Sequence, residues 1–174
     1  MSDITPDTTA RYLRIESIIG GVSNAFFNGV IAWLMLRNAP DRTWSGSTSF
    51  AADMVITGFL LPFIVALIVI PIQRGKLRKG KVDTLELDNQ SLLSRCTKRL
   101  PHSTFRSALI FGSVGALLIA PVTLFCFWVM GIGSVPTMNY IMFKTVWTGL
   151  LAALLVIPMV VYALSSDAVP QDRN

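Results

Sequence analysis

Residues 50–73 read FAADMVITGFLLPFIVALIVIPIQ, a stretch that carries a single charged side chain, Asp53. An α-helix needs about 20 apolar residues to cross about 30 Å of hydrocarbon. Three further stretches meet that requirement: 15–36, 107–130 and 140–164. Charged residues make up only 14% of the chain, against about 25% in a soluble domain. The sequence therefore predicts an all-α membrane protein, a four-helix transmembrane bundle that forms one domain over 1–174.

Basic residues are concentrated between the second and third spans. Nine of the 15 lie from Arg74 to Arg106, and the positive-inside rule puts this connector, about 74–105, in the cytoplasm with both termini. The segment before the first span contains Asp3 and Asp7, so we expect an uncleaved anchor, not a signal peptide. The predicted location is a cell membrane, the inner membrane in a Gram-negative host. The net charge of +5 is then a topology signal, and nucleic-acid binding is not expected.

The chain contains a weak internal repeat. Residues 53–60, DMVITGFL, align with 144–151, KTVWTGLL, and the GGV of 20–22 aligns with the GSV of 112–114. Two spans separate the copies, so both copies have the same orientation in the membrane. This pattern predicts two parallel two-helix repeats, about 11–82 and 106–165, related by a pseudo-two-fold axis along the membrane normal.

The central connector predicts a short amphipathic helix over Asn89–Leu100, where apolar residues recur at helical spacing. Two interpretations remain open. The helix and its neighbouring basic residues bind anionic lipid headgroups on the inner leaflet, or the connector is solvated and its charges only fix topology. The candidate headgroup contacts are the basic residues Arg74, Lys76, Arg78, Lys79, Lys81, Arg95, Lys98 and Arg99.

Polar side chains are rare within membrane spans and are often functional there. Those of this chain are predicted to form one layer. They come in pairs four residues apart, so the members of each pair share one helix face. Counted from the outer helix ends at 1.5 Å per residue, five of them lie in the outer half, Asn28, Thr57 and Thr148 roughly 12–14 Å deep and Asp53 and Lys144 roughly 6–8 Å deep. The candidate site residues are Asn24, Asn28, Asp53, Thr57, Lys144 and Thr148.

Three interpretations of this polar layer are open. The side chains can hold helices together, with Asp53 paired to Lys144. The charges can instead lie near the interface, where Lys144 snorkels and Asp53 gains from the positive end of its helix. In the third interpretation the layer binds a solute or an ion.

No catalytic motif accompanies these features. Cys96 and Cys126 fall in different regions, and His102 is the single histidine, so neither a disulfide nor a metal site is expected. The sequence predicts no enzymatic activity and no cofactor. Tyr140 and the tryptophans are expected to anchor the outer interface.

The leading functional hypothesis is a small permease or channel-like protein of unknown substrate. It would act as a homo-oligomer, because one four-helix chain encloses little space. The alternative is a non-transporting scaffold or accessory protein whose basic cytoplasmic loop binds lipid headgroups or a partner.

Overall fold

The computed structural model describes residues 6–85, 100, 101 and 103–165, with side chains from residue 9 onward. It is 78% helical. Within the described ranges, four helices are long and apolar enough to cross a membrane, as the hydropathy pattern predicts. The architecture is that of a multi-pass membrane protein. The predicted amphipathic helix over 89–100 falls outside the described residues, apart from its last position.

The helices coincide with the predicted spans and extend beyond four of their eight ends. Hydropathy marks where a helix meets hydrocarbon, whereas backbone hydrogen bonds continue into charged flanks; this is why the first helix starts well before Ile15 and the second ends after Gln73. The elements are α1 Pro6–Leu36, β1 Arg42–Thr43, α2 Phe50–Arg78, α3 Thr104–Val114, a π-helical turn Gly115–Ile119, α4 Ala120–Val129, β2 Ser134–Val135 and α5 Thr137–Leu164.

Prolines lie within the spans without ending them. Pro62 and Pro71 lie inside α2 and Pro158 inside α5. In the third span, made of α3, the π turn and α4, the Ala120 N–H bonds the Gly115 carbonyl five residues earlier. This wider turn immediately precedes Pro121, whose ring would meet the carbonyl four residues earlier in a regular α-helix.

The α5 helix is the centre of the bundle. In its most apolar stretch 61% of residues are buried, against 11% in α1. It packs on α1 on one side and on α2 on the other, and α2 packs in turn on the third span. The helices are therefore arranged in the order α1, α5, α2 and third span, so that α1 is not the main neighbour of α2.

Glycines allow the closest helix approaches. A Cβ on Gly149 of α5 would lie 3.1 Å from the Gly21 carbonyl oxygen of α1. A Cβ on Gly58 of α2 would lie 3.2 Å from the Gly115 carbonyl oxygen of the third span. Small residues at a crossing let helix backbones pack without bulky side chains between them.

One end of the bundle is tied by its two loops. Strands β1 and β2 pair antiparallel, and the Trp44 indole Nε1 donates to the Ile132 carbonyl at 2.6 Å. The Thr137 hydroxyl donates to the Pro40 carbonyl at 2.8 Å. We call this the β end, and the opposite end, where α2 finishes and α3 begins, the basic end.

Candidate functional site

A groove of about 540 Å³ runs between α1 and α2, with Val156 of α5 among its lining residues. Most of the lining is apolar. Phe27 on the α1 wall is 62% exposed and Ile64 on the α2 wall is 49% exposed. The groove therefore opens sideways, toward the hydrocarbon that would surround the bundle in a membrane.

Three of the predicted polar residues lie together in this groove: Asn24, Asn28 and Thr57. The Asn24 amide donates to the Gly20 carbonyl at 2.9 Å, and the Asn28 amide donates to the Asn24 carbonyl at 3.1 Å. Each asparagine thus satisfies one amide proton within its own helix. A primary amide can form up to four hydrogen bonds, so both groups keep capacity for a solute or another helix.

Asp53 and Lys144 form an ion pair between α2 and α5. The Lys144 Nζ lies 2.6 Å from Asp53 Oδ2 and 2.8 Å from Oδ1. The Tyr140 hydroxyl donates to the same carboxylate at 2.5 Å. The lysine and aspartate side chains are only 14% and 28% exposed. This geometry supports the interpretation of Asp53 and Lys144 as an interhelical pair, and Lys144 does not snorkel away from it.

Aromatic side chains pack around Tyr140, the partner of the ion pair at the β end. Phe50 packs on Phe127 and Tyr140, with ring centroids 5.5 and 6.5 Å apart. The Arg42 guanidinium lies 5.8 Å from the Tyr140 ring centroid. Tyr140 is 0% exposed, so it is an interior hydrogen-bond donor and not the interfacial anchor that its position suggested. Its spacing of four residues from Lys144 was the available signal.

Thr148 is separated from the groove. Its side chain is 0% exposed and donates to the Lys144 carbonyl at 2.8 Å. The predicted polar layer is thus divided among a groove with Asn24, Asn28 and Thr57, an ion pair, and one buried threonine. Sequence spacing placed these residues at similar depths without showing which helix faces meet.

A second polar cluster, absent from the sequence prediction, joins α1 to α2 at the basic end. Lys76 Nζ lies 2.6 Å from Glu16 Oε1. The Gln73 amide donates to Glu16 Oε2 at 2.8 Å and accepts from the Tyr12 hydroxyl at 2.6 Å. Gln73 is 1% exposed. The i, i+4 spacing of Tyr12 and Glu16 was the only sequence signal, and it named no partner helix.

The basic residues of the connector have different surroundings. Arg74 donates to the Tyr162 hydroxyl at 3.0 Å and to the Thr104 hydroxyl at 3.2 Å. Lys76 belongs to the cluster with Glu16, so both cations bond within the protein. Three others are exposed on or just after the last turn of α2: Arg78, Lys79 and Lys81. Arg95, Lys98 and Arg99 lie outside the described residues.

Comparison of the chain with protein-family models, curated proteins and solved structures gives no match. Among the side chains that the structure describes, no three His, Cys, Asp or Glu residues lie close enough to hold a metal ion. The groove and the two ion pairs are therefore the features that bear on function.

Proposed function

We propose that this chain is a small permease or channel-like protein that acts as a homo-oligomer. The observation that carries the proposal is the groove between α1 and α2, where the uncharged polar side chains of Asn24, Asn28 and Thr57 meet near mid-span. Glycine contacts bring α1 close to α5 and α2 close to the third span. The solute path therefore follows the groove on the outside of the bundle, and a second copy closes its open side.

The ion pair of Asp53 and Lys144 is the proposed gate at the β end of this path. Asp53 lies one helical turn from Thr57 on the same face of α2, so its contact with Lys144 would close the path beyond the groove. The cluster of Glu16 and Lys76 closes the basic end in the same way. Both pairs are internally neutralised, and the remaining path groups are amides and a hydroxyl. These groups favour a small uncharged polar solute over an ion.

Flux measurements on proteoliposomes test the proposal. We expect stopped-flow light scattering to show glycerol or urea entering faster than in protein-free vesicles. Asn28→Leu and Thr57→Val remove hydrogen-bonding groups at nearly constant volume and should each slow entry about tenfold, equivalent to about 1.4 kcal/mol in barrier height. Phe26→Leu, on the exposed side of α1, is the matched control and should retain full flux.

Two outcomes would contradict this proposal. Vesicles with the wild-type chain that are no more permeable than empty vesicles to glycerol and urea would remove the transport function for this solute class. Equal flux in Asn28→Leu, Thr57→Val and the wild-type chain would remove the groove as its path. Selective passage of K⁺ or Cl⁻ would overturn the preference for uncharged solutes.

We also propose that the basic end faces the cytoplasm, together with both termini, in a bacterial inner membrane or its equivalent. The exposed cluster of Arg78, Lys79 and Lys81 at that end supports this orientation through the positive-inside rule. Alkaline phosphatase and green fluorescent protein fused after Leu164 test it. Fluorescence without phosphatase activity is expected, and the reverse pattern would invert the topology.

The internal duplication remains part of the proposal. Its support is that Gly58 and Gly149, which occupy the same position in the two Thr-Gly sequences, each pack against a carbonyl of another span. The second span thus packs on the third, and the fourth span packs on the first. Each contact joins one repeat to the other. An experimental structure in which the two halves superpose with matching helix crossings would support duplication, and unrelated crossing angles would argue against it.

A second candidate function is lipid-headgroup binding by a membrane scaffold. The observation that favours it is the exposed basic cluster at the end of α2, since each such cation contributes about 1 kcal/mol near an anionic surface. We expect phosphatidylglycerol to raise the melting temperature of the purified chain. Neutralising Arg78, Lys79 and Lys81 to Gln should abolish that rise, whereas Arg37→Gln at the β end should not. An unchanged rise in the triple variant would exclude these residues as headgroup ligands.

A further inference from the structure

We propose that the groove between α1 and α2 is a self-association surface, and that the α1 helix of a second copy covers its open side. The two copies would be related by a two-fold axis along the membrane normal, with Asn24 and Asn28 of each copy facing those of the other. This inference rests on the proposed function, because it names the partner that closes the solute path.

The first supporting observation is how little of α1 the chain itself covers. Only 11% of the residues in its most apolar stretch are buried. Its contacts with α5 use one face, where Gly21 and Gly29 approach Ala153 and Thr145. Asn24 and Asn28 lie on the adjacent face, which lines the groove. Polar side chains on a surface open to hydrocarbon are unfavourable unless another polar group satisfies them.

The second observation is the uneven polarity along the groove. Asn28 and Thr57 lie in the half toward the β end and Ser23 and Asn24 lie at the middle of the groove, whereas the half toward the basic end is lined by aliphatic residues such as Ile68. At 1.5 Å per residue, Asn28 and Thr57 are about 10–12 Å from the β-end helix termini, and Asn24 is about 18 Å from that end of α1. They therefore lie near the middle of a hydrocarbon layer about 30 Å thick.

This distribution of polar side chains favours a protein helix over a lipid chain as the partner that covers the groove. A lipid of the basic-side leaflet would place its terminal methyl groups at mid-membrane, beside the asparagine amides. A second α1 places amides there instead, because a two-fold axis along the membrane normal keeps every residue at the same depth. The Asn24 and Asn28 side chains of one copy then meet polar groups of the other, and the aliphatic half of the groove meets aliphatic residues. The match in polarity favours a second copy.

Site-specific cross-linking tests this arrangement. In a chain with Cys96→Ser and Cys126→Ser, we expect a short bis-maleimide to join Asn24→Cys or Asn28→Cys chains into dimers in liposomes. Phe26→Cys is at matched depth and is rotated about 200° around α1 from both asparagines. Its dimer yield should be at least fivefold lower. Equal yields at all three positions, or dimers from Phe26→Cys alone, would overturn the proposal.

The oligomeric state of the unmodified chain provides a second test, which does not depend on the cysteine variants. Light scattering in mild detergent and stepwise photobleaching in liposomes should show dimers or larger even-numbered assemblies for the wild type. Asn24→Leu with Asn28→Leu should shift the population at least tenfold toward monomers, and Phe26→Leu should not. Wild-type monomers in both measurements, including monomers with a co-purified lipid, would overturn the proposal. Dimers that show no solute flux would support self-association and contradict the transport function. Flux through monomers would support the transport function and contradict self-association.

Discussion

Asp53→Asn should lower the free energy of unfolding by about 3 kcal/mol, the lower limit for breaking a buried ion pair, because this pair is only partly buried. The Lys144 side chain is 14% exposed, so the substitution would leave a cation in apolar surroundings without its counter-charge. Lys144→Met should have a comparable effect, softened because the Tyr140 hydroxyl still donates to the Asp53 carboxylate. Equilibrium unfolding by SDS in mixed micelles measures both changes.

The double variant separates pairing from two independent effects. Asp53→Asn with Lys144→Met removes both charges, so we expect it to be less destabilised than the sum of the single variants, with a coupling free energy of about 1–3 kcal/mol. The charge-swapped chain, Asp53→Lys with Lys144→Asp, should be more stable than either single variant. Additive effects in the double variant would mean that the two residues do not act as a pair.

A matched control and a flux assay complete this experiment. Lys79 is exposed at the basic end, and Lys79→Met should change stability by less than about 0.5 kcal/mol. If the pair is also the gate of the path, the double variant will fold and yet show altered glycerol or urea flux. Normal flux in a folded double variant would remove the gating role and leave the pair as a structural contact.

Gly115→Ala should destabilise the bundle by about 2 kcal/mol, within the range for overpacking a close contact. A Cβ at this position would overlap the Gly58 carbonyl oxygen and lie 2.7 Å from the Pro62 Cγ. A backbone carbonyl and a proline ring cannot rotate away, so the third span must move from α2. Thermal unfolding in detergent should show the loss, and cross-links between the two helices should become less efficient.

Gly75→Ala in α2 is the matched control, because nothing lies within 4 Å of the added Cβ. Alanine is the better helix former by about 0.8–1 kcal/mol, so this variant should be as stable as the wild type or more stable. The two glycine substitutions are thus expected to act in opposite directions. Equal tolerance of both would show that the close approach at Gly115 is not a packing requirement.

The polar residues show most clearly which contacts follow from sequence and which do not. Helical spacing placed Asn24 with Asn28 on one face and gave Asp53 and Lys144 similar depths. Spacing did not bring Tyr140 into the pair, and it grouped Thr148 with residues from which it is separated. Such spacing describes one helix at a time, whereas a site depends on the rotation of each helix toward its neighbours.

The cluster at the basic end is a second set of contacts that helical spacing did not identify. Glu16, Gln73 and Lys76 lie at the ends of their spans, where charged residues are expected beside headgroups and carry no special signal. Only the approach of α1 to α2 brings the Lys76 Nζ within 2.6 Å of the Glu16 carboxylate. The roles of Arg74 and Lys76 as internal contacts could not be read from a positive charge count.

The sequence by itself determined the solvent, the number of spans and their approximate limits. Hydrocarbon offers no partner for backbone N–H and C=O groups, so each long apolar stretch must be a helix whatever surrounds it. Tertiary structure alone decided that α1 lies against α5, that a groove with Asn24, Asn28 and Thr57 stays open, and that Asp53 meets Lys144. Apolar helix faces are nearly equivalent to one another and to lipid, so small-residue fit and polar contacts between distant parts of the chain select the neighbours.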